Sequence, residues 1–422
     1  NYLICRIRYN NMSDYAILQA NFPLLFFYFL LGFSFAFPSI SIRYFLMSFT
    51  SPSQMAAMMG IFALPWVFKP IYGFVSDTYT INGYRRKPYM MIGAYFSAIM
   101  WVVLPFSPRD EFLVSLVMTL ASLGLCIADV MADSLLVEVA RQEKTENKGI
   151  VQSYSWIFRF LGGLVGSILG AVAYDGLGWV GVFHLTSIIP CVITILALVI
   201  PENETVQKTN ISETTGKLFQ AIKQPQIFKP AIFLFIICTT PSYGDIMTFF
   251  YKEELNFTPD EFGSLDVLGH IVSIIGTIIY KKYLRKVKLR TIFCWALVFS
   301  FLLENTMLLL VLHVNRDWGI PDYVFAFVER IALTLAGQFV TMPMVVLGAK
   351  LCPVGVEGTL YALLMSITNL GGIVGSELGS MLAGVFGITA TNFSNLWKLM
   401  LVCHICDLIP LGCLRLLPRN DP

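Results

Sequence analysis

Hydrophobic residues in this chain neither alternate nor follow a single helical face. They run in blocks of about 20 residues or more, separated by short polar turns. A block of that length is what an α-helix needs to cross the hydrocarbon core of a bilayer. Read this way, the pattern predicts twelve spans, at 22–48, 54–76, 88–106, 112–140, 148–174, 179–200, 228–252, 259–281, 290–313, 321–349, 354–384 and 393–417. Several exceed one crossing, which permits tilt or kinking without fixing either. One polar stretch is much longer than the other turns: residues 201–227, rich in Glu, Asn, Thr, Lys and Gln. It falls between the sixth and seventh spans and divides the helices six and six. The expected layout is a cytoplasmic segment 1–21, a six-helix bundle 22–200, a cytoplasmic linker 201–227, a second bundle 228–417 and a tail 418–422.

Composition agrees with that pattern. Of 422 residues, 56% are hydrophobic and only 13% charged, against roughly 25% charged in soluble domains. The solvent for most of this surface must be lipid, and the bilayer is the first expected partner. A net charge of +2 gives no reason to expect nucleic acid. Leu3–Tyr9 is too short and too polar to serve as a signal peptide. Most of the nine cysteines lie inside apolar runs, where they act as small buried hydrophobes. Cys403-x-x-Cys406 encloses His404, but without a second pair it predicts neither a metal nor a cofactor.

Basic residues fix the expected orientation. Even-numbered turns carry Arg85–Lys87, then Arg141, Lys144 and Lys148. They continue with Lys208, Lys217, Lys223 and Lys229, the cluster Lys281 to Arg290, and Lys350. Odd-numbered turns are sparse or acidic, as at Asp110–Glu111 and Asp175. Both termini are therefore expected to face the cytoplasm, and the plasma membrane is the expected residence. The sequons at Asn256 and Asn392 then lie on the outer side.

Small residues and buried charges carry the remaining information. Gly162, Gly163, Gly166 and Gly170 form a ladder in the fifth span, and Gly371, Gly372, Gly375 and Gly379 form another in the eleventh. Such ladders suit close helix contact, and they are expected to permit one half to rock against the other. Ionisable residues deep in a membrane are costly and by default face a cavity or a partner. The densest set is on the fourth span, where Asp129 and Asp133 share a face and Glu138 and Arg141 follow toward the cytoplasmic end. Arg159, near mid-depth in the fifth span, has nothing in its own helix to neutralise it, so a pair with Asp129 or Asp133 is expected. Arg43, Asp245 and Glu377 join these three as candidate substrate-binding or coupling residues. Asp266, His270, Glu304, Glu329 and Arg330 complete the inventory, and Pro241 and Pro343 are expected to interrupt their helices.

The stretch from Lys69 to Tyr89 organises the rest. It reads as the end of one helix, a short turn and the start of the next, with Gly73 and Asp77 one helical turn apart on one face. A neighbouring helix can approach at the glycine while the carboxylate bonds its end. Lys69, Gly73, Asp77, Arg85, Arg86, Glu138 and Arg141 are the expected gating set. This stretch resembles the loop between the second and third helices of major facilitator transporters, and two six-helix halves are the plan of that fold. The expected fold class is thus an all-α polytopic membrane protein with the major facilitator fold.

Three strings carry a closer resemblance. They are K-P-x-Y-G-x-x-S-D-x-x-x-x-x-G-Y-R-R-K-P-Y at Lys69–Tyr89, D-V-x-A-D-S-L-x-V-E-x-A-R at Asp129–Arg141, and R-F-L-G-G-x-x-G-x-x-x-G at Arg159–Gly170. Together they resemble the folate–biopterin transporters over about residues 20–417; Thr80 departs from the proline expected in the loop. The resemblance implies a secondary carrier of folate or a pterin that works by alternating access as a monomer, with a proton as candidate coupling ion. Chemistry agrees: a carboxylate can accept the adjacent N–H donors of a pterin edge in bidentate fashion. The flat ring would stack on aromatics. Asp129 or Asp133 would take the pterin edge or the proton, and Arg159 or Arg43 the anionic tail. A carrier for a sugar, nucleoside or amino acid is the alternative on the same scaffold. A membrane enzyme is the rival class, but His184, His270, His313 and His404 fall on four different spans or their ends without a paired motif.

Overall fold

The computed structural model describes residues 19, 21–140, 150–202, 204, 216, 220, 223–284, 287–350 and 357–418. Among these the regular elements are helices, apart from one β-bridge between Ile81 and Tyr84. The first half contains α1 (Phe22–Ala36), α2 (Ser39–Met47), α3 (Pro52–Val67), α4 (Lys69–Thr78), α5 (Lys87–Val103), α6 (Glu111–Ala140) and α7 (Ile150–Val199). The second contains α8 (Pro225–Cys238), α9 (Gly244–Phe249), α10 (Pro259–Ile279), α11 (Leu289–Glu304), α12 (Met307–Val311), α13 (Asp322–Lys350), α14 (Glu357–Val385), α15 (Leu396–Cys406) and α16 (Ile409–Gly412).

Among the described residues, ten helical stretches are long and apolar enough to cross a membrane, against the twelve spans expected. Two features account for the difference. Helix α7 covers both the fifth and sixth expected spans, with a non-helical Gly178 at φ 62° and ψ −173°. The path reverses there: Phe183 packs on Trp101 near the end of α5, while the Leu198 carbonyl accepts from Lys87 Nζ at its start, 3.2 Å. The seventh expected span is split between α8 and α9 by residues 239–243. Outward-facing apolar side chains such as Ile92, Val172, Ile195, Trp295 and Val385 are exposed, as lipid solvation requires.

Local sequence explains the helix starts. Capping boxes close the N-termini of α3 (Ser51 with Gln54) and α10 (Thr258 with Glu261). Proline in the first turn of α1, α3, α4 and α5 removes an N–H that would lack a helical partner. Asn82 (φ 53°) and Gly83 (φ 83°) form the two-residue turn of the Ile81–Tyr84 bridge. An Asn-Gly pair tolerates those left-handed angles.

Both glycine ladders pack inside their own halves. A Cβ at Gly162 would collide with the Phe29 carbonyl, and one at Gly170 with the Phe37 carbonyl, so the start of α7 lies directly on α1. In the second half, Gly371 lies against Cys238, Gly375 against the Thr240 carbonyl and Gly379 against the Ser242 carbonyl. The fifth helix of each half thus packs on the first helix of that half. The expectation that these glycines serve rocking between halves is corrected by that packing; Gly163, which faces His270, is the ladder position that looks across.

The halves touch at both ends of the bundle. At the end carrying Arg85–Lys87, Gln152 Nε2 donates to the Tyr361 hydroxyl at 3.1 Å. At the opposite end the Tyr44 hydroxyl donates to the Phe257 carbonyl at 3.1 Å. That opposite end also holds the largest apolar cluster, in which Phe45, Trp101 and Phe183 of the first half meet Phe250, Phe257 and Phe393 of the second.

Candidate functional site

A charge cluster buried in the first half is the strongest candidate site. Pro65 and the non-helical Phe68 interrupt the second span just before Lys69, which opens α4 with its side chain turned inward. Asp129 and Asp133 come from adjacent turns of α6. Lys69 Nζ lies 2.5 Å from Asp129 Oδ2 and 3.4 Å from Asp133 Oδ2. The Tyr28 hydroxyl of α1 donates to Asp133 Oδ1 at 2.7 Å. Arg159 Nη1 of α7 stands 3.8 Å from Asp129 Oδ1, an ion-pair contact too long for a hydrogen bond. Its guanidinium lies 5.5 Å from the Phe35 ring centroid and 5.2 Å from that of Trp156, and Lys69 Nζ lies 4.6 Å from the Trp66 ring.

Two acids and two bases balance. Asp129 is fully buried and Lys69 only 5% exposed, so neither charge is stable there without the other. Asp129 Oδ1 has no hydrogen-bond partner, which leaves a buried acceptor free for an incoming donor. The same arrangement lets an incoming anion compete for Arg159, the more loosely held cation.

A second cluster spans the halves. Arg43 of α2 donates to Asp266 Oδ2 of α10 at 2.9 Å, Ser39 Oγ donates to the same oxygen at 3.3 Å, and Arg330 Nη2 of α13 lies 3.7 Å from Asp266 Oδ1. One carboxylate faces two guanidinium groups, so this cluster keeps a net positive charge. Between the two clusters lies a cavity of about 170 Å³ lined by Phe35, Ser39, Arg43, Phe62 and Ser122, among others. Phe35 lies under Arg159, and Ser122 accepts from Trp66 Nε1 at 2.9 Å. The cavity therefore joins the walls of one charge cluster to those of the other.

Contacts near Arg85–Lys87 close the bundle. Asp77 accepts from Arg86 Nη2 at 2.5 Å and, across the halves, from Thr359 Oγ1 at 3.0 Å. Gly73 leaves room there: a Cβ would lie 4.0 Å from the Thr359 backbone. The Trp66 carbonyl accepts from Ser366 Oγ at 3.3 Å and Asn369 Nδ2 at 3.1 Å, both of α14. Glu202 accepts the backbone N–H groups of Arg85, Arg86 and Lys87 at 2.9, 2.8 and 2.9 Å, and so caps α5.

The candidate residues from the sequence thus divide among several places. Asp129, Asp133 and Arg159 come together, but Lys69, expected in the gate, is the closest partner of Asp129. Arg43 belongs to the second cluster. Asp245 accepts from Ser376 Oγ at 2.9 Å within the second half, and Glu377 lies beside Gly60 across the halves. Asp77, Gly73, Arg85 and Arg86 sit at the closing contacts, Glu138 is exposed at the end of α6, and Arg141 lies outside the described residues. Tyr28, Trp66 and Thr359 were not legible as site residues, because each is a common residue in an apolar or loop context with no charge to mark it. No group of three metal-ligating side chains occurs among the described residues; His404 is instead bonded through Nε2 to the Tyr243 hydroxyl, 2.9 Å.

Comparison with known proteins gives a consistent picture. The model of the BT1 family matches residues 32–422. A "Folate-biopterin transporter" of Synechocystis is 35% identical, over 88% of this chain and 76% of its own. "Probable folate-biopterin transporter 4" of Arabidopsis thaliana is 29% identical over 88% and 89%, and "Folate transporter 1" of Plasmodium falciparum 27% over 88% and 74%. Among solved structures, a mutant of the nucleoside transporter NupG aligns with 94% of this chain and 99% of its own, at a TM-score of 0.69 and 13% identity. That likeness shows the fold, the major facilitator fold expected from the sequence.

Proposed function

The chain belongs to the BT1 family, and we propose that it is a secondary active transporter that moves folate, a pterin or a related pteridine across a membrane by alternating access. The observation that carries the reading is the buried Lys69–Asp129–Asp133–Arg159 cluster, with its free acceptor on Asp129, beside a cavity lined by Phe35 and Ser122 at one side and by Ser39 and Arg43 at the other. A pterin edge presents paired N–H donors to Asp129 and Asp133, and the ring lies against Phe35, Phe62 and Trp66. The anionic tail reaches Arg43 and Arg330, whose shared partner Asp266 neutralises only one of them. Each half contributes part of this arrangement, so substrate joins them, and the two closing ends open in turn. The distribution of basic residues supports placing both termini and the 201–227 linker in the cytoplasm. The plasma membrane and a monomer remain part of the same proposal.

The test is uptake into liposomes. Purified protein is reconstituted, and accumulation of labelled folate and of a labelled pterin is measured with and without an inward proton gradient. Uptake competed by unlabelled pterin, and lost on Asp133→Asn or Arg159→Gln in protein that still folds, is the expected result. Absence of both uptakes from folded protein would withdraw the pteridine cargo and favour another organic solute on the same scaffold.

A further inference from the structure

Glu329 of α13 is a buried acid outside both charge clusters, only 6% exposed. Its Oε1 is hydrogen-bonded to Thr306 Oγ1, in the two-residue break between α11 and α12. Its Oε2 is buried without any hydrogen-bond partner. Among the described residues, no ion pair includes Glu329.

The Thr306 hydroxyl shows where a proton belongs. It donates to the Leu303 carbonyl, with Oγ1 2.6 Å from that oxygen. A hydroxyl has one proton to give, and neither a carbonyl nor an ionised carboxylate has any. With the hydroxyl proton on Leu303, the contact between Thr306 Oγ1 and Glu329 Oε1 needs a proton from the acid. A neutral Glu329 bridges both contacts at once. An ionised one would leave two oxygens pressed together with no hydrogen between them. Burial acts in the same direction, because a carboxylate with no cation and one dry oxygen is costly inside a membrane.

The ionisable groups on the elements around α13 are otherwise engaged. Asp266 of α10 is held by Arg43 and Arg330, and His270 faces Gly163. Arg316 is bonded to Asp322 at 2.7 Å, and Glu377 of α14 lies beside Gly60. The Tyr251 hydroxyl donates to the Met307 sulfur at 3.9 Å, next to Thr306, and Glu304 at the end of α11 adds acid rather than a cation. Met307, Leu310 and Ala326 around Glu329 belong to the apolar cluster that closes the end opposite Arg85–Lys87.

We propose that Glu329 is a proton-binding site of the second half, loaded through the end opposite Arg85–Lys87 and linked by charge to the anion site beside it. With the apolar cluster shut, the acid keeps its proton. With the cluster parted, water reaches the carboxyl group and takes the proton or returns it. Arg43, Arg330 and Asp266 together carry one net positive charge, and Arg330 directly follows Glu329 in the chain. An ionised Glu329 cancels that charge, whereas a neutral one leaves it to the anionic tail of a substrate. Proton and anion therefore favour each other's binding, and the linkage is reciprocal. The coupling rests on the carrier reading; the neutral acid does not.

Infrared difference spectroscopy of the purified protein near neutral pH tests the acid itself. Parent minus Glu329→Gln is expected to contain a carboxylic-acid C=O stretch that shifts in heavy water. Thr306→Val keeps the acid but removes its neighbour, and should move the same band; it decides alone should Glu329→Gln fold poorly. A lost carboxylate stretch in place of the acid stretch, or a band that Thr306→Val leaves unmoved, would overturn the site, whatever the protein transports. In liposomes, Glu329→Gln is expected to keep counterflow exchange of labelled folate while losing accumulation driven by an inward proton gradient. Accumulation kept, or exchange lost with it, would overturn the coupling. A parent protein that shows the acid band but moves no folate would strike the coupling along with the cargo and leave the proton site standing.

Discussion

Lys69 Nζ and Asp129 Oδ2 lie 2.5 Å apart, so the most deeply buried acid of the fourth span is neutralised from the second span. Arg159, 3.8 Å from the other oxygen of Asp129, is the looser partner. This unequal sharing matters for transport. A ligand can displace the loosely held guanidinium without leaving Asp129 unpaired, because the ammonium group stays.

Removing the tight partner should be costly. Lys69→Met keeps the apolar stem but leaves Asp129 with Arg159 alone, and stripping one member from a buried pair costs about 3–5 kcal/mol. Asp129→Asn added to Lys69→Met should recover most of that loss. Thermal unfolding in detergent reads both, and a single variant as stable as the parent would mean that the pair does not hold the cluster.

Tyr28 offers a finer probe. Its hydroxyl donates to Asp133, and a hydrogen bond to a charged group contributes about 1.5–3 kcal/mol. Tyr28→Phe should lower stability by that order in the parent background and by much less in Asp133→Asn. A double-mutant cycle measures the difference, and equal losses in the two backgrounds would assign the effect to packing.

These partners show where a sequence stops being legible. Asp129, Asp133 and Arg159 announce themselves as charges in apolar runs, and so does Lys69. What the one-dimensional pattern lacks is the interruption at Phe68, which turns Lys69 away from the gate and into the cluster. Tyr28 lies in a run of aromatics, Phe26–Tyr28, where nothing distinguishes a hydroxyl that faces a carboxylate from one that faces lipid. The glycine ladders are visible as ladders, but the helix on which each rests depends on tertiary packing. The helix count differs for another reason. The sequence already divides residues 148–174 from 179–200, and the structure carries one continuous helical stretch across the non-helical Gly178 between them, so two expected spans fall in one element.

The ladder contacts supply their own control. A Cβ at Gly162 would strike the Phe29 carbonyl, whereas at Gly372, also on a ladder, nothing lies within 4 Å. Gly162→Ala should therefore lose stability by about 1–3 kcal/mol through overpacking, and Gly372→Ala should be close to neutral. Melting of the two variants side by side checks this; equal melting points would mean that α1 and α7 can separate at no cost.

The contact of Asp77 with Thr359 makes the last prediction. Asp77 bonds Arg86 within its own half and Thr359 across the interface, so its two oxygens tie one half to the other. Thr359→Val keeps the shape and deletes only the bond between halves, whose net value is about 0.5–1.5 kcal/mol. A free energy of that size changes a two-state population about 2–12-fold. Asp77→Asn should do more, because it also frees Arg86 from its carboxylate. Spin labels at exposed Thr80 and Tyr283, one on each half near this end, would report the opening as a longer distance. The longer population should grow several-fold in Thr359→Val and further in Asp77→Asn. Identical distance distributions in the parent and both variants would remove Asp77 from the gate and leave it as a local brace for the loop that Arg86 anchors.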